Sequence, residues 1–221
     1  MNFNFKAFFL ILSCSLLISC QEESLVKIKN PEKSLVRIKN PEENIREAIK
    51  DIETENYKSA LKKINSSINM NPNIANSYFI RGKVFYEIGH FTKAKVDFEK
   101  ALELNSELPE VHNSLGRLLL QENELPSARK SFKNAIEINP NYYNAYINLG
   151  VIDYRNGNFQ QALFNFTRAI EINPNSELAL KNRANTYSKL GAGDAVCEDI
   201  SRLCKLSNCS QQYRNTLKQC K

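Results

Sequence analysis

The sequence predicts an all-α fold, a solenoid of about five helical hairpins closed by a short capping helix. Three observations carry this. A 34-residue pattern runs without a break from 41 to 210. Each copy places its apolar residues at helical spacing in two runs split by a turn. Small and aromatic residues recur at fixed places: Gly82, Gly116 and Gly150 at the eighth position, Ala94, Ala128 and Ala162 at the twentieth, Phe98, Phe132 and Phe166 at the twenty-fourth, and Ala101, Ala135 and Ala169 at the twenty-seventh. A period of this length marks units that bury their apolar faces only by stacking on one another.

The fourth copy shows the local logic. Its first run is Ala145, Tyr146, Leu149, Gly150 and Ile152, and its second is Phe159, Ala162, Leu163, Phe166, Ala169 and Ile170. Between them lies Asn156-Gly157-Asn158. Gly157 suits the positive φ that ends a helix. Asn173-Pro174 stops the second helix, because proline restricts the residue before it. The small residues at positions 8, 20 and 27 let two helices approach, and the aromatic at position 24 fills the remaining space.

Period, small residues, aromatic slots and closing prolines (Pro72, Pro140, Pro174) together resemble the tetratricopeptide repeat family. The resemblance implies a right-handed superhelical solenoid whose first helices line a concave groove for a protein or peptide partner.

In chain order, residues 1–19 read as a signal peptide. Lys6 precedes an uncharged stretch from Ala7 to Ser19, too short to span a bilayer of ~30 Å as a helix. The stretch ends in Leu17-Ile18-Ser19-Cys20, which resembles the lipobox of bacterial lipoproteins. That resemblance implies cleavage before Cys20 and lipid (palmitate among it) on that residue, hence a lipid-anchored protein of the bacterial envelope, at the outer membrane facing the periplasm. A cut before Cys14 would leave a much shorter apolar core. Residues 20–43 read as a tether containing a decapeptide duplication, SLVKIKNPEK and SLVRIKNPEE. Its Asn-Pro dipeptides oppose one continuous helix. Twenty extended residues would reach about 70 Å from the lipid.

The repeats occupy 44–210, in the frames 41–74, 75–108, 109–142, 143–176 and 177–210. The end copies are degenerate, with Asp51 in a usual aromatic or leucine place and Gly193 and Asn208 in place of an aromatic and the proline. Units at the ends of a stack face solvent on one side, so this is expected. Residues 211–221 read as the capping helix.

Four of the six cysteines, Cys197, Cys204, Cys209 and Cys220, fall in the last twenty-five residues. In an exported protein that clustering suggests disulfides. Cys197 and Cys204 would sit ~10.5 Å apart along one helix, too far to bond. Cys204 in the last helical turn can meet Cys209 just beyond it. Cys220 can then fold back to Cys197. The expected bridges are Cys197–Cys220 and Cys204–Cys209, the first fastening the cap. A four-cysteine zinc site is the rival, but it lacks any CxxC pair, and no metal or other cofactor is expected.

A formal net charge of +6, one less once Lys6 is removed, is mildly basic. There is no Lys/Arg run and no aromatic-plus-basic platform, so nucleic acid is not an expected partner. No small-molecule substrate is implied, and the oligomeric state stays open. Only His90 and His112 are present, the first in an inter-helix turn and the second at position 4, where Tyr78 and Tyr146 stand elsewhere. No nucleophile–base order, glycine-rich phosphate loop or HExxH appears, so a non-catalytic protein is expected.

By the same resemblance, positions 2, 5, 6, 9, 12 and 13 face the groove. They supply a basic series, Lys83, Arg117, Arg155 and Lys181, together with Asn113. Asn148 and Asn182 share position 6, where an amide can pair with the backbone of an extended peptide. Tyr86 and Tyr154 offer flat anchor surfaces. Lys181 and Asn185 match, by type and spacing, two members of the carboxylate clamp of chaperone-binding family members, whose remaining members come from later repeats. The expected function is a lipid-anchored scaffold that holds an extended partner during envelope, secretion or cell-wall assembly. The alternatives are a structural or surface lipoprotein, and an adaptor that positions an envelope enzyme.

Overall fold

The computed structural model describes residues 40–206 and 209–220. Cys20, the lipobox and the duplicated decapeptide lie outside them. Five hairpins follow one another: α1 (Pro41–Glu53) with α2 (Tyr57–Met70), α3 (Ala75–Glu87) with α4 (Phe91–Leu104), α5 (Pro109–Gln121) with α6 (Leu125–Ile138), α7 (Tyr143–Arg155) with α8 (Phe159–Ile172), and α9 (Glu177–Lys189) with α10 (Gly193–Leu206). A last helix, α11 (Gln211–Gln219), follows. The predicted all-α solenoid of five hairpins and a cap is the observed architecture. One boundary shifts: α1 starts at Pro41, so residues 41–43 are its first turn and not the end of the tether. Proline is at home there, where its missing N–H has no helical partner.

The same inter-helix turn is built five times. The residue at position 15 has positive φ in every hairpin: Glu55, Gly89, Asn123, Gly157 and Gly191. The next N–H reaches back to the carbonyl five residues earlier, as in Asn56 N to Asp51 O (2.7 Å), His90 N to Phe85 O (2.7 Å) and Asn158 N to Asp153 O (2.9 Å). This is the closing bond of a Schellman-type cap. Between hairpins, an asparagine at position 31 accepts the N–H two residues on: Asn71 from Asn73 (3.0 Å), Asn105 from Glu107 (2.9 Å), Asn139 from Asn141 (2.9 Å) and Asn173 from Asn175 (3.3 Å). Such Asx turns redirect the chain without a glycine. They explain why the second copy, with Ser106 in place of proline, turns as well as the others.

Inside each central hairpin the phenylalanine at position 24 lies on the glycine at position 8. A Cβ on Gly82, Gly116 or Gly150 would stand 2.7, 2.6 or 2.5 Å from the Cε1 of Phe98, Phe132 or Phe166. The end hairpins solve the same contact with a different pair, Ala48 with Ile64 and Ala184 with Ile200, all buried. Where position 8 carries a methyl group, position 24 gives up its ring.

The core is assembled between hairpins. One cluster joins Ala60 and Ile64 to Ile80 and Val84, and the next joins Phe98 and Ala101 to Val111 and Leu118. A third joins Phe132 and Ala135 to Ala145 and Ile152, and the last joins Phe166 and Ala169 to Leu180 and Leu203. Among the described residues, first helices touch first helices (α1 with α3, α3 with α5, α5 with α7, α7 with α9), while no two second helices touch. The stack therefore closes on its first-helix side, and that side is concave.

Ion pairs lock hairpins internally. Arg81 meets Asp97 through two bonds of 2.8 Å and also donates to Asn65 of the preceding hairpin (3.0 Å). Arg183 repeats this with Asp199 (2.9 and 2.6 Å) and Thr167 (3.2 Å). Its bonds to Asp199 hold the Arg183 guanidinium still more firmly protonated than usual. Asp153 is likewise buried, but its pair with Arg129 (2.6 Å) crosses from the third hairpin to the fourth, while Asn165 (2.7 Å) holds it within its own hairpin. The first hairpin reverses the polarity, with Lys63 at position 23 facing Asp51 (2.8 Å) and Glu47 (3.5 Å).

The cap lies against the last hairpin with no fully buried residue of its own. Tyr213 packs on the cluster containing Leu180 and Leu203. The cysteines stand in two disulfide-compatible pairs, Cys197 with Cys220 (Cα–Cα 5.9 Å) and Cys204 with Cys209 (4.3 Å). The first spans 23 residues of sequence. Closing a loop of that size stabilises by about 3 kcal/mol in the chain-entropy picture. Cys220→Ser should therefore release α11, read as rapid amide exchange over 211–219 while the four earlier hairpins keep their protection. Unchanged protection of α11 would show that Tyr213 and its neighbours hold it unaided.

Candidate functional site

The concave side is lined by α3, α5, α7 and α9, which carry the groove residues the sequence nominates. They form separate pockets rather than one continuous basic line. Lys83, Tyr86 and Glu87 from α3, Phe98 from α4, and Ser114 and Arg117 from α5 enclose one pocket. Val151, Tyr154 and Arg155 from α7, Phe166 from α8, and Asn182 and Asn185 from α9 enclose another. Each tyrosine is held edge-on by the first aromatic of the following helix. Tyr86 and Phe91 are 5.5 Å apart at 67°, and Tyr154 and Phe159 are 5.5 Å apart at 66°. An edge-to-face pair of this kind fixes the ring.

The cations differ in setting. Arg117 lies over the Tyr86 ring at 5.1 Å, and Lys83 over Phe79 at 5.7 Å. Arg155 and Lys181 are exposed. None of the four forms an ion pair with a described residue, whereas Arg81, Arg129 and Arg183 on the same helices or their neighbours do. Charge neutralised within and between the hairpins is thus set apart from charge offered at the groove.

Two nominated residues depart from expectation. Asn113 is buried, and its side-chain carbonyl accepts a 2.8 Å bond from the amide of Asn148. The bond joins α5 to α7 and commits one Asn148 N–H and the Asn113 carbonyl to the fold rather than to a ligand. Position 6 assigns Asn148 and position 5 assigns Asn113, each from its face alone, and that assignment cannot see that the neighbouring repeat supplies a partner. Asn182 does reach a pocket, beside Asn185. Lys181 stands apart from the basic series: with Asn185 and Ser188 it faces Gln212, Tyr213 and Thr216 of the cap. Helix α11 occupies the flank where a sixth hairpin would present the rest of a carboxylate clamp.

Ser114 lines its pocket as position 6 predicts, whereas the sequence reading missed Phe98 and Phe166 as pocket walls and Phe91 and Phe159 as the rings that hold the tyrosines. Phe91 and Phe159 carried a signal, since position 17 is aromatic in the second and fourth copies and leucine (Leu125) in the third. His112 Nε2–H donates a 3.0 Å bond to the Ser106 carbonyl and so ties α5 to the preceding turn. His90 precedes α4 and stacks on Phe85 at 6.1 Å.

A stack of hairpins with a pocketed concave face is a repeat scaffold. Residues 75–108 and 143–176 match the tetratricopeptide repeat, and 116–157 match a TPR repeat model spanning a hairpin boundary. Those segments are similar to tetratricopeptide repeats, and the fold is that of a tetratricopeptide solenoid. A comparison with curated proteins finds no match. Among solved structures, PilF of Pseudomonas aeruginosa superposes with a TM-score of 0.74 at 16% identity, over 81% of this chain and 87% of that one. PilW, a type IV pilus biogenesis factor, gives 0.70 at 19% identity over 80% and 86%. YrrB, a TPR protein with an unusual peptide-binding site, gives 0.58 at 21% identity over 80% and 91%. At these identities the likeness is one of fold.

Proposed function

We propose that this chain is a lipid-anchored, non-catalytic scaffold that holds an extended segment of a protein partner in its concave groove at the bacterial cell envelope. The observation that carries the reading is the pair of tyrosine-floored pockets, each with a cation that makes no ion pair with a described residue. Rigid aromatic surface beside available charge is the composition of an interaction hot spot. Solved structures of the same fold include a pilus biogenesis factor and a peptide-binding protein, which favours assembly work over catalysis. Lipidation at Cys20 would set the location, at the outer membrane on its periplasmic side, with residues 20–40 giving reach.

The test is crosslinking and capture from solubilised membranes, comparing wild type with Arg117→Glu plus Arg155→Glu. Both positions are exposed, so the variant should fold normally and lose its main partner. An unchanged partner list would sink the groove reading. Separately, Cys20→Ala should move the protein out of the membrane fraction or leave it unprocessed. Normal membrane retention by that variant would overturn the lipid anchor.

A further inference from the structure

The two tyrosine pockets use the same repeat positions, displaced by two hairpins. Positions 9, 12, 13 and 24 of one repeat and 6 and 9 of the next give Lys83, Tyr86, Glu87, Phe98, Ser114 and Arg117 in the first pocket. The same positions give Val151, Tyr154, Arg155, Phe166, Asn182 and Asn185 in the second. The ring geometry repeats as well, with both Tyr–Phe pairs at 5.5 Å and within a degree in tilt. The boundary between them is built differently. It carries Leu120 at position 12 and Leu125 at position 17, and its Asn148 is bound to Asn113. The groove thus presents its two tyrosine pockets two hairpins apart, with a leucine-bearing boundary between them.

The spacing of the pockets limits what fits both. Neighbouring packed helices lie about 8–10 Å apart, so two steps along the first helices cover roughly 16–20 Å. An extended peptide advances about 3.3 Å per residue, which makes five or six residues. Side chains of an extended strand alternate between faces, so two that point into the same groove are an even number apart. Six satisfies both conditions. The charge limits the rest: Lys83, Arg117 and Arg155 outnumber Glu87 at the two pockets, which favours acidic flanks on the occupant.

Resting on the groove function proposed above, the geometry points to a bidentate reader of an extended acidic segment that carries two large apolar or aromatic side chains six residues apart. The first packs on the surface beside Tyr86 and Arg117, where the cavity is only about 30 Å³, and the second enters beside Tyr154, where it is about 170 Å³. Each pocket alone binds weakly, and the second engagement becomes intramolecular once the first is made, so affinity arises from the pair.

Fluorescence anisotropy with the purified full chain tests this. The probes are labelled twelve-residue peptides of Glu, Asp and Ser carrying one Phe, two Phe at i and i+6, or two Phe at i and i+3. The i,i+6 peptide is expected to bind about tenfold or more tighter than either of the others, in keeping with linked weak sites. Tyr86→Ala and Tyr154→Ala should each reduce it to the one-Phe level, and the double variant should add little further. Both variants should retain the wild-type helical circular dichroism, since the rings are part-exposed. Equal affinity for the i,i+6 and i,i+3 peptides, absence of binding by all three, or indifference to both tyrosine variants would overturn the two-pocket reading. Loss of the natural partner on Arg117→Glu plus Arg155→Glu, alongside such a result, would leave the groove function standing and remove only the spacing rule.

Discussion

Arg183→Met is expected to destabilise the last hairpin by about 3 kcal/mol, the lower end of the range for breaking a buried ion pair. The lower end applies because the Arg183 side chain keeps 12% of its surface, while that of Asp199 keeps 1%. Most of the loss comes from Asp199, whose carboxylate would stay buried without its two guanidinium bonds. A second change, Asp199→Leu, should therefore recover most of the stability, because an apolar pair of similar volume removes the uncompensated charge. Amide exchange is the suitable readout, since stability in a repeat array is local. Protection should fall in α9 and α10 and stay unchanged in α1 to α4. Equal destabilisation by the single and double variants would show that Asp199 is solvated once Arg183 leaves.

Phe132→Ala should cost about 3–5 kcal/mol, the usual loss for a fully buried ring replaced by a methyl group. Its partner offers the more telling measurement. Gly116→Ala should raise helix propensity by up to about 1 kcal/mol, yet its new Cβ would stand 2.6 Å from Phe132. Overpacking of that kind costs about 1–3 kcal/mol, so the net effect should be destabilising. Combining Gly116→Ala with Phe132→Ile recreates the arrangement of the two end hairpins, Ala48 with Ile64 and Ala184 with Ile200. The double variant should be more stable than the sum of the single changes predicts, in urea unfolding followed by circular dichroism. Simple additivity would mean that the ring and the glycine are not coupled.

Much of this fold could be read from residue spacing. Glycine at position 8, phenylalanine at 24 and the break near position 15 each report a local requirement, and each repeats, so the frame survives degenerate copies. The turn at Glu55 and Asn123 was less visible, because neither residue type demands positive φ; neighbouring bonds impose it. The Arg81–Asp97 and Arg183–Asp199 pairs were missed because partners sixteen residues apart meet only after the hairpin closes. The groove was legible as a face and illegible as pockets. Positions 6 and 9 point toward the concave side in every copy, but whether an amide is free depends on the next repeat, as Asn148 and Asn113 show. Cys20 and the duplicated decapeptide lie outside the described residues, so their reading still rests on sequence.

One feature of the stack bears on how it would carry load. Every core cluster joins a hairpin to its immediate neighbour, and no described helix touches another more than two places away in the chain. A pull applied at Pro41 would therefore pass through the boundaries in series, each bearing the full tension. The array should yield one hairpin at a time, lengthening in steps while the remaining pockets keep their shape. An arm built in this way would behave as an extensible spring between its point of attachment and whatever it grips.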